Sequence, residues 1–446
     1  MSRHTSAKDT IKHDPLLFRF SLYGFLKNLR FFEPFLVLFF RDAGLSFFQI
    51  GLLYAVRDIS TNLLEIPAGV VADSSGRRRS MVLSFLSYII SFILFYTLPG
   101  FASYALAMVI FGIGEAFRSG THKALILEHL RLNDMEDLKV PYYGRTRAAS
   151  QMGSALNSLI AAALVFYTGN YRYVFLASIV PYVADLFNLA TYPRRLDGDL
   201  VDLDMKALPA QLKATTHTFL NIFRNPQAIK AILNSSGFDA FYKATKDYLQ
   251  PILQTFALSL PFFVTLESER RSSLIIGVVY FFIFLMSSYA SRKAGEVSDQ
   301  FNDMAQAINT TFLIGAVFLL TAGVASWQDF RVLSILVFLG LYLLHNVRKP
   351  LNVAFISDQI ENQVMASGLS VESQLVTLLM AIIAPILGAL ADLIGVGGGL
   401  AILGLAMAGL AILARVSIPE FVEPPRASDG QSRAVSTVSH KQEREL

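Results

Sequence analysis

Cysteine is absent from the 446 residues, which excludes a disulfide framework, a thiolate metal site and a cysteine nucleophile. Charge is scarce as well: 16% of residues are Asp, Glu, Lys or Arg, against about 25% in a soluble globular domain. A surface facing water on all sides needs more. No glycine run carries the Lys and Ser/Thr of a phosphate loop; Gly397-Gly398-Gly399 lies between two apolar stretches and is expected to form a tight turn. No Ser/His/Asp set is placed for hydrolysis, and the polar segments are too short for an enzyme domain. Neither catalysis nor a cofactor is expected. What fills the chain is apolar, 53% hydrophobic and 12% aromatic with 36 Phe and a mean hydropathy of +0.48. The net charge of +4 does not point to nucleic acid, because the basic residues are dispersed over short breaks between apolar runs.

A helix needs about 20 mostly apolar residues to cross a bilayer core. That ruler marks twelve candidate spans, near 18–40, 46–69, 80–99, 102–125, 146–167, 172–192, 228–256, 272–291, 305–326, 330–350, 365–391 and 396–418. The first, second, fourth and seventh are the most polar. Lys and Arg concentrate in alternate connections, including Arg77–Arg79, Arg194-Arg195 and Arg292-Lys293, which places both termini in the cytoplasm. The opening residues lack an apolar core with a small-residue cleavage site, so the first span is expected to stay. The expected organisation is a cytoplasmic segment 1–17, a six-helix bundle 18–192, a central cytoplasmic loop 193–227, a second six-helix bundle 228–418 and a cytoplasmic tail 419–446 too polar to fold. The loop carries Asp197, Asp199, Asp202 and Asp204, then turns amphipathic over 205–223. The fold class is all-α membrane protein, twelve transmembrane helices in two pseudo-symmetric bundles. A faint internal repeat supports this: Arg118, Ala124, Ile126 and Glu128 match Arg348, Ala354, Ile356 and Asp358 at identical spacing. Pro385, Gly388 and Asp392 echo the end of the second span without its arginines, and are expected to mark helix termination at the outer face.

Between the second and third spans stands Gly69-Val-Val-Ala-Asp73-Ser-Ser-Gly76-Arg77-Arg78-Arg79. An Asp, a turn glycine and three arginines cannot lie in lipid, so this is a short loop, on the cytoplasmic face. The pattern G-x-x-x-D-x-x-G-R-R at this junction resembles the signature loop of the major facilitator superfamily of transporters. Length, span number and the long central loop extend the resemblance over nearly the whole chain. It implies alternating access, in which two bundles rock about a central site. It also implies a latch holding the outward-facing state, made by the loop with the fourth and eleventh helices. Carried over, Asp73 is the latch carboxylate, with Gly69, Gly76, Arg77 and Arg78 in the loop and Glu128 as partner for Arg77. Two departures stand out. The arginine of drug antiporters early in the fourth helix is missing from Ala107-Met108-Val109-Ile110, and the fifth helix lacks their Gly-Pro pair.

An ionisable group at bilayer depth is costly unless paired or wet, and each is a functional candidate by default. Lys27, Arg30 and Glu33 share one third of the circumference of a continuous first helix. Asp58, Asn62 and Glu65 share a face of the second, beside Arg57. Glu115, Arg118 and His122 form a stripe on the fourth, and Asp239, Lys243, Lys246 and Asp247 one on the seventh. Glu33, Asp58 and Glu65 are the proton-coupling candidates, because an apolar site raises a carboxylate toward neutral pH. Arg30, Arg57, Glu115, Arg118, Asp239, Lys243 and Asp247 are the cavity candidates. The bland alternatives are internal pairs, Glu115 with Arg118 and Asp239 with Lys243. The signs balance and select neither an anionic nor a cationic substrate, and no compact spacing with His122 or His345 supports a metal site. The expected function is secondary transport of a small solute or ion, coupled to protons, in the inner membrane of a bacterium. The alternatives are an uncoupled or metal-ion carrier and a transporter-like scaffold.

Overall fold

The computed structural model describes residues 14–198, 200, 226–301, 303–359 and 365–417; Asp199, Asp202, Asp204, the stretch 205–223 and the tail from 418 lie outside them. Among the described residues there are helices and no strands. The first half holds α1 (Pro15–Lys27), α2 (Leu36–Asp42), α3 (Phe47–Ser75), α4 (Arg77–Thr97), α5 (Phe101–Arg118), α6 (Thr121–Leu132), α7 (Lys139–Thr168) and α8 (Tyr173–Ala190). The second holds α9 (Pro226–Thr245), α10 (Leu249–Ser259), α11 (Ser268–Arg292), α12 (Ala294–Ser298), α13 (Met304–Trp327), α14 (Arg331–Gln359) and α15 (Met365–Leu413).

Among the described residues, eight helical segments are long and apolar enough to cross a membrane: Arg77–Thr97, Phe101–Leu132, Pro141–Thr168, Tyr173–Ala190, Ser268–Arg292, Met304–Trp327, Arg331–Val353 and Val371–Leu413. The last contains both final expected spans, divided at Gly395, whose φ is 79°. The turn therefore falls at Gly395 rather than at Gly397–Gly399, where Gly397 instead lies against the backbone of Trp327 and Gly323. The expected spans absent from the eight are 18–40, 46–69 and 228–256, all polar.

Two of those three are not continuous helices. Helix α1 starts where the Asp14 carboxylate accepts from Leu16 N at 3.0 Å and stops at Asn28, whose side-chain Nδ2 donates to Gly24 O at 2.6 Å. A 3-10 turn at Glu33–Phe35 follows, built around Pro34, before α2 begins. The shared stripe of Lys27, Arg30 and Glu33 is thus corrected: an Asn competing for the backbone and a Pro without an N–H break the helix inside it. The seventh span breaks at the 3-10 turn Lys246–Tyr248, between α9 and α10, so its charged stripe does not continue past Thr245. The fourth span also breaks, at Ser119-Gly120 between α5 and α6, where Gly120 has φ 69°.

Irregular backbone at membrane depth is tolerated when protein satisfies it. Gln250 does so here. Its Oε1 accepts from Val37 N at 2.9 Å and its Nε2 donates to Glu33 O at 2.9 Å, so one amide from the start of α10 closes the break between α1 and α2.

Two seams join the halves. Along α3 and α15, Gly51 has no room for a Cβ against Ala384, nor Gly388 against Phe47, and the Asp392 carboxylate accepts from Phe47 N and Phe48 N at 2.9 and 2.8 Å, capping α3. The echo at Pro385–Asp392 is therefore an inter-helix contact as well as a helix end. Along α7 and α11, Gly277 packs on Ala162, and Ser288 Oγ donates to Gln151 Oε1 at 2.7 Å.

Candidate functional site

In the first half one carboxylate collects polar groups of three spans, the first, third and fourth. Glu115 Oε1 accepts from Arg30 Nη2 at 2.8 Å and from Tyr88 OH at 2.8 Å. Its Oε2 accepts from Arg118 Nη2. Arg118 Nε also donates to Tyr88 OH at 2.9 Å, and Arg30 Nε to Tyr182 OH at 3.0 Å. Tyr182 in turn donates to Lys27 O at 3.1 Å. Glu115 and Arg118 meet because residues three apart on a helix share a face; Arg30 reaches them because the break after α1 releases it from that helix. Lys27 adds a third cation, and its ammonium makes no ion pair among the described residues. The His122 ring stacks on Tyr23, centroids 3.6 Å apart.

Cross-half contacts form a second group. Lys246 Nζ lies 3.7 Å from Glu33 Oε1 and 2.7 Å from Asp247 Oδ1. Asp247 Oδ2 accepts from Tyr54 OH at 3.2 Å. Arg57 Nε donates to the adjacent Asp58 Oδ1 at 2.8 Å, while Asp58 Oδ2 is buried without a hydrogen-bond partner among the described residues. Chain neighbours that point apart on an ideal helix are paired because the guanidinium folds back, lying over the Tyr54 ring at 5.1 Å. Glu65 is elsewhere, accepting from Ser119 Oγ at 2.7 Å.

The second half is arranged differently. Asp239 Oδ1 stands 3.4 Å from His345 Nε2, not in the pair with Lys243 that its own helix offers. His345 stacks on Tyr242 at 3.8 Å, the same histidine-on-tyrosine contact between first and fourth spans as in the first half. The Glu372 carboxylate accepts from Ser235 Oγ.

A cavity of ≈ 680 Å³ lies between α1, α6 and α7. Lys27, Arg118 and His122 line its deep part, and Lys123 and Arg147, both exposed, its rim. That rim is at the end of the bundle carrying Gly76 and the 133–138 connection. The α3/α15 seam capped by Asp392 is at the opposite end.

The model of the Major Facilitator Superfamily matches residues 20–371. This chain belongs to that superfamily. It is a multi-pass integral membrane protein of a family of transporters, not of enzymes. A 90-residue stretch is 33% identical to the uncharacterised MFS-type transporter YxaM of Bacillus subtilis (strain 168), covering 20% of this chain and 23% of the relative. The match thus spans about a quarter of that relative's length. Among solved structures, the nucleoside transporter NupG superposes with a TM-score of 0.69 at 13% identity, over 90% of this chain and 98% of its own. A D-xylose-proton symporter gives 0.64 at 15%, over 90% and 97%. A peptide transporter POT bound to sulfate gives 0.62 at 14%, over 90% and 94%. At such identities these likenesses establish the fold.

The superfamily's loop residues lie as follows. Gly76 has φ 102°, and a Cβ there would come within 2.9 Å of Asp197 Cγ, so glycine is required twice over. Asp197 Oδ1 accepts from Arg78 N at 2.8 Å and caps α4. Arg77 lies against Gly198, 3.2 Å from where its Cβ would be, and Gly69 and Asp73 are exposed. Glu128 Oε1 accepts from Arg131 Nη2 at 2.6 Å on its own helix. The structure thus brings Arg30, Glu115 and Arg118 together, sets Glu33 and Asp247 on Lys246, and bonds Glu128 to Arg131 rather than to the expected Arg77.

Two residues went unread in the sequence. Gln250, the amide that bridges the broken helices, carries no charge to draw attention. Asp185, fully buried on α8, accepts from Asn188 Nδ2 at 3.1 Å through Oδ1, while Oδ2 has no hydrogen-bond partner among the described residues. The signal was present: an Asp three residues before an Asn inside an apolar span.

Proposed function

We propose that this protein moves a small solute across the membrane by alternating access, coupled to protons, with its loop end in the cytoplasm of a bacterium. One observation carries the reading. The cavity is rimmed at the loop end, while at the other end α3 and α15 are in backbone contact and α3 is capped across the seam. This supports an inward-facing state, in which a latch of Gly69, Asp73, Gly76, Arg77, Arg78 and Glu128 is disengaged, in keeping with an exposed Asp73. Twelve spans in two bundles fit it if 18–40, 46–69 and 228–256 also cross.

The coupling candidates sit where protonation would matter. Glu33 faces Lys246 from the other half at 3.7 Å. Protonating Glu33 removes the attraction across the seam and favours separation of the halves. Asp58 holds one buried oxygen unpaired, and Glu65 lies nearer the loop end on the same helix. In proteoliposomes, Glu33→Gln and Asp58→Asn are expected to lose proton-driven accumulation while retaining solute exchange. Full accumulation in both variants removes them from coupling. An uncoupled carrier is the second reading, favoured by the Arg57–Asp58 pair; it predicts that a proton gradient leaves final accumulation unchanged.

A further inference from the structure

The sequence balances charge over the whole set of intramembrane groups; the structure does not balance it locally. Around the deep wall of the cavity stand Lys27, Arg30 and Arg118, and the carboxylate between the two arginines is Glu115 alone. The residues lining the cavity include Lys27, Arg118, Lys123, Arg147 and His122, with no Asp or Glu among them. Asp185 is fully buried and bonded to Asn188, and Glu33 is held by Lys246 of the other half, so neither carboxylate lines the cavity. Among the charged side chains that line the cavity itself, four are basic and none is acidic. Neutral donors complete the wall, Asn28 and Gln151 among them.

A surplus cation at membrane depth is stable only with a counter-charge or water. A guanidinium keeps its charge, and its forked donors suit carboxylate and phosphate oxygens. A cavity of ≈ 680 Å³ is also within the range of about 300–1,000 Å³ typical of small-molecule sites. We infer that the cavity between α1, α6 and α7 takes a small organic anion, a carboxylate or phosphate ester, with Lys27 and Arg118 as its deep anchors and Lys123 and Arg147 drawing it in from the rim. The inference rests on the transport reading only in calling that anion a substrate; binding itself does not depend on it.

The test uses the purified full chain, with succinate and glycerol 3-phosphate as anionic probes, xylose as a neutral one and putrescine as a cationic one. A ligand that binds only the folded state raises the melting temperature. At least one anion is expected to do so, with xylose and putrescine silent. Lys27→Gln is expected to weaken the half-saturating concentration about tenfold, the usual scale for a lost charged hydrogen bond. Arg147→Gln, at the exposed rim, is expected to weaken it less, and Lys293→Gln, a control charge at the end of α11, not at all. Shifts by xylose or putrescine alone, no shift by any probe, or an anion effect unchanged in Lys27→Gln overturns the inference. Flux of the same probes in proteoliposomes keeps the two readings apart. Anion binding without flux sinks transport and keeps the anion site; xylose flux without anion binding does the reverse.

Discussion

Arg118 and Arg348 hold matching places in the two halves, and the halves bury the same guanidinium in opposite ways. Arg118 lines the cavity and is tied to Glu115 and Tyr88. Arg348 is fully buried, and no carboxylate pairs with it among the described residues. Its Nη1 donates to Ile308 O and to Thr311 Oγ1, the latter at 3.0 Å; its Nη2 donates to Asn234 O at 3.1 Å and to Asn234 Oδ1. The Phe238 and Phe312 rings lie 4.5 and 4.9 Å from it. The two arginines, at the same spacing in the expected repeat, thus serve packing in one case and line a cavity in the other. The tyrosine–histidine stacks remain common to both, so the difference lies in charge rather than framework.

The sharpest break of this comparison is a pair of matched variants. Arg348→Gln leaves several buried oxygens without a donor and is expected to cost about 3–5 kcal/mol, the scale for breaking a buried charged network. Arg118→Gln, at a partly wet wall, is expected to fold with a much smaller drop in melting temperature and to lose transport. Equal stability losses would show that the arginines do the same job. A smaller effect is expected at Gln250. Gln250→Leu orphans Val37 N and Glu33 O, at about 1–3 kcal/mol for each unsatisfied group. Thermal unfolding reads this, and wild-type stability would mean that the break between α1 and α2 needs no bridge from the second half. Asp73→Asn, in an exposed position, is expected to leave melting and membrane insertion intact while slowing turnover about tenfold, roughly 1.4 kcal/mol in a cycling barrier. Unchanged turnover in a flux assay would remove Asp73 from the latch.

Much of the fold was legible. Apolar runs of span length and the arginine-rich loop are one-dimensional features, and hydropathy reads them directly. The charged residues were legible as candidates but not as partners. A stripe drawn on a continuous helix put Lys27, Arg30 and Glu33 together; the chain breaks there, so Arg30 turns to Glu115 and Glu33 to Lys246. Asp239 chose His345 over its helical neighbour Lys243 because packing across spans decides which polar groups meet. Gln250 shows the same limit. Its two bonds go to residues more than two hundred positions earlier, and no local pattern encodes such a contact.

The proposed cycle needs a cavity rimmed at the loop end while α3 and α15 stay in contact at the other. Because the natural chain has no cysteine, Ser154→Cys places a single thiol on the cavity wall in an otherwise silent background. Labelling with a membrane-impermeant thiol reagent is expected to be fast in inside-out vesicles and slow in right-side-out ones. Equal labelling from both sides, or access from the outer side alone, would contradict the inward-facing state and the cycle built on it.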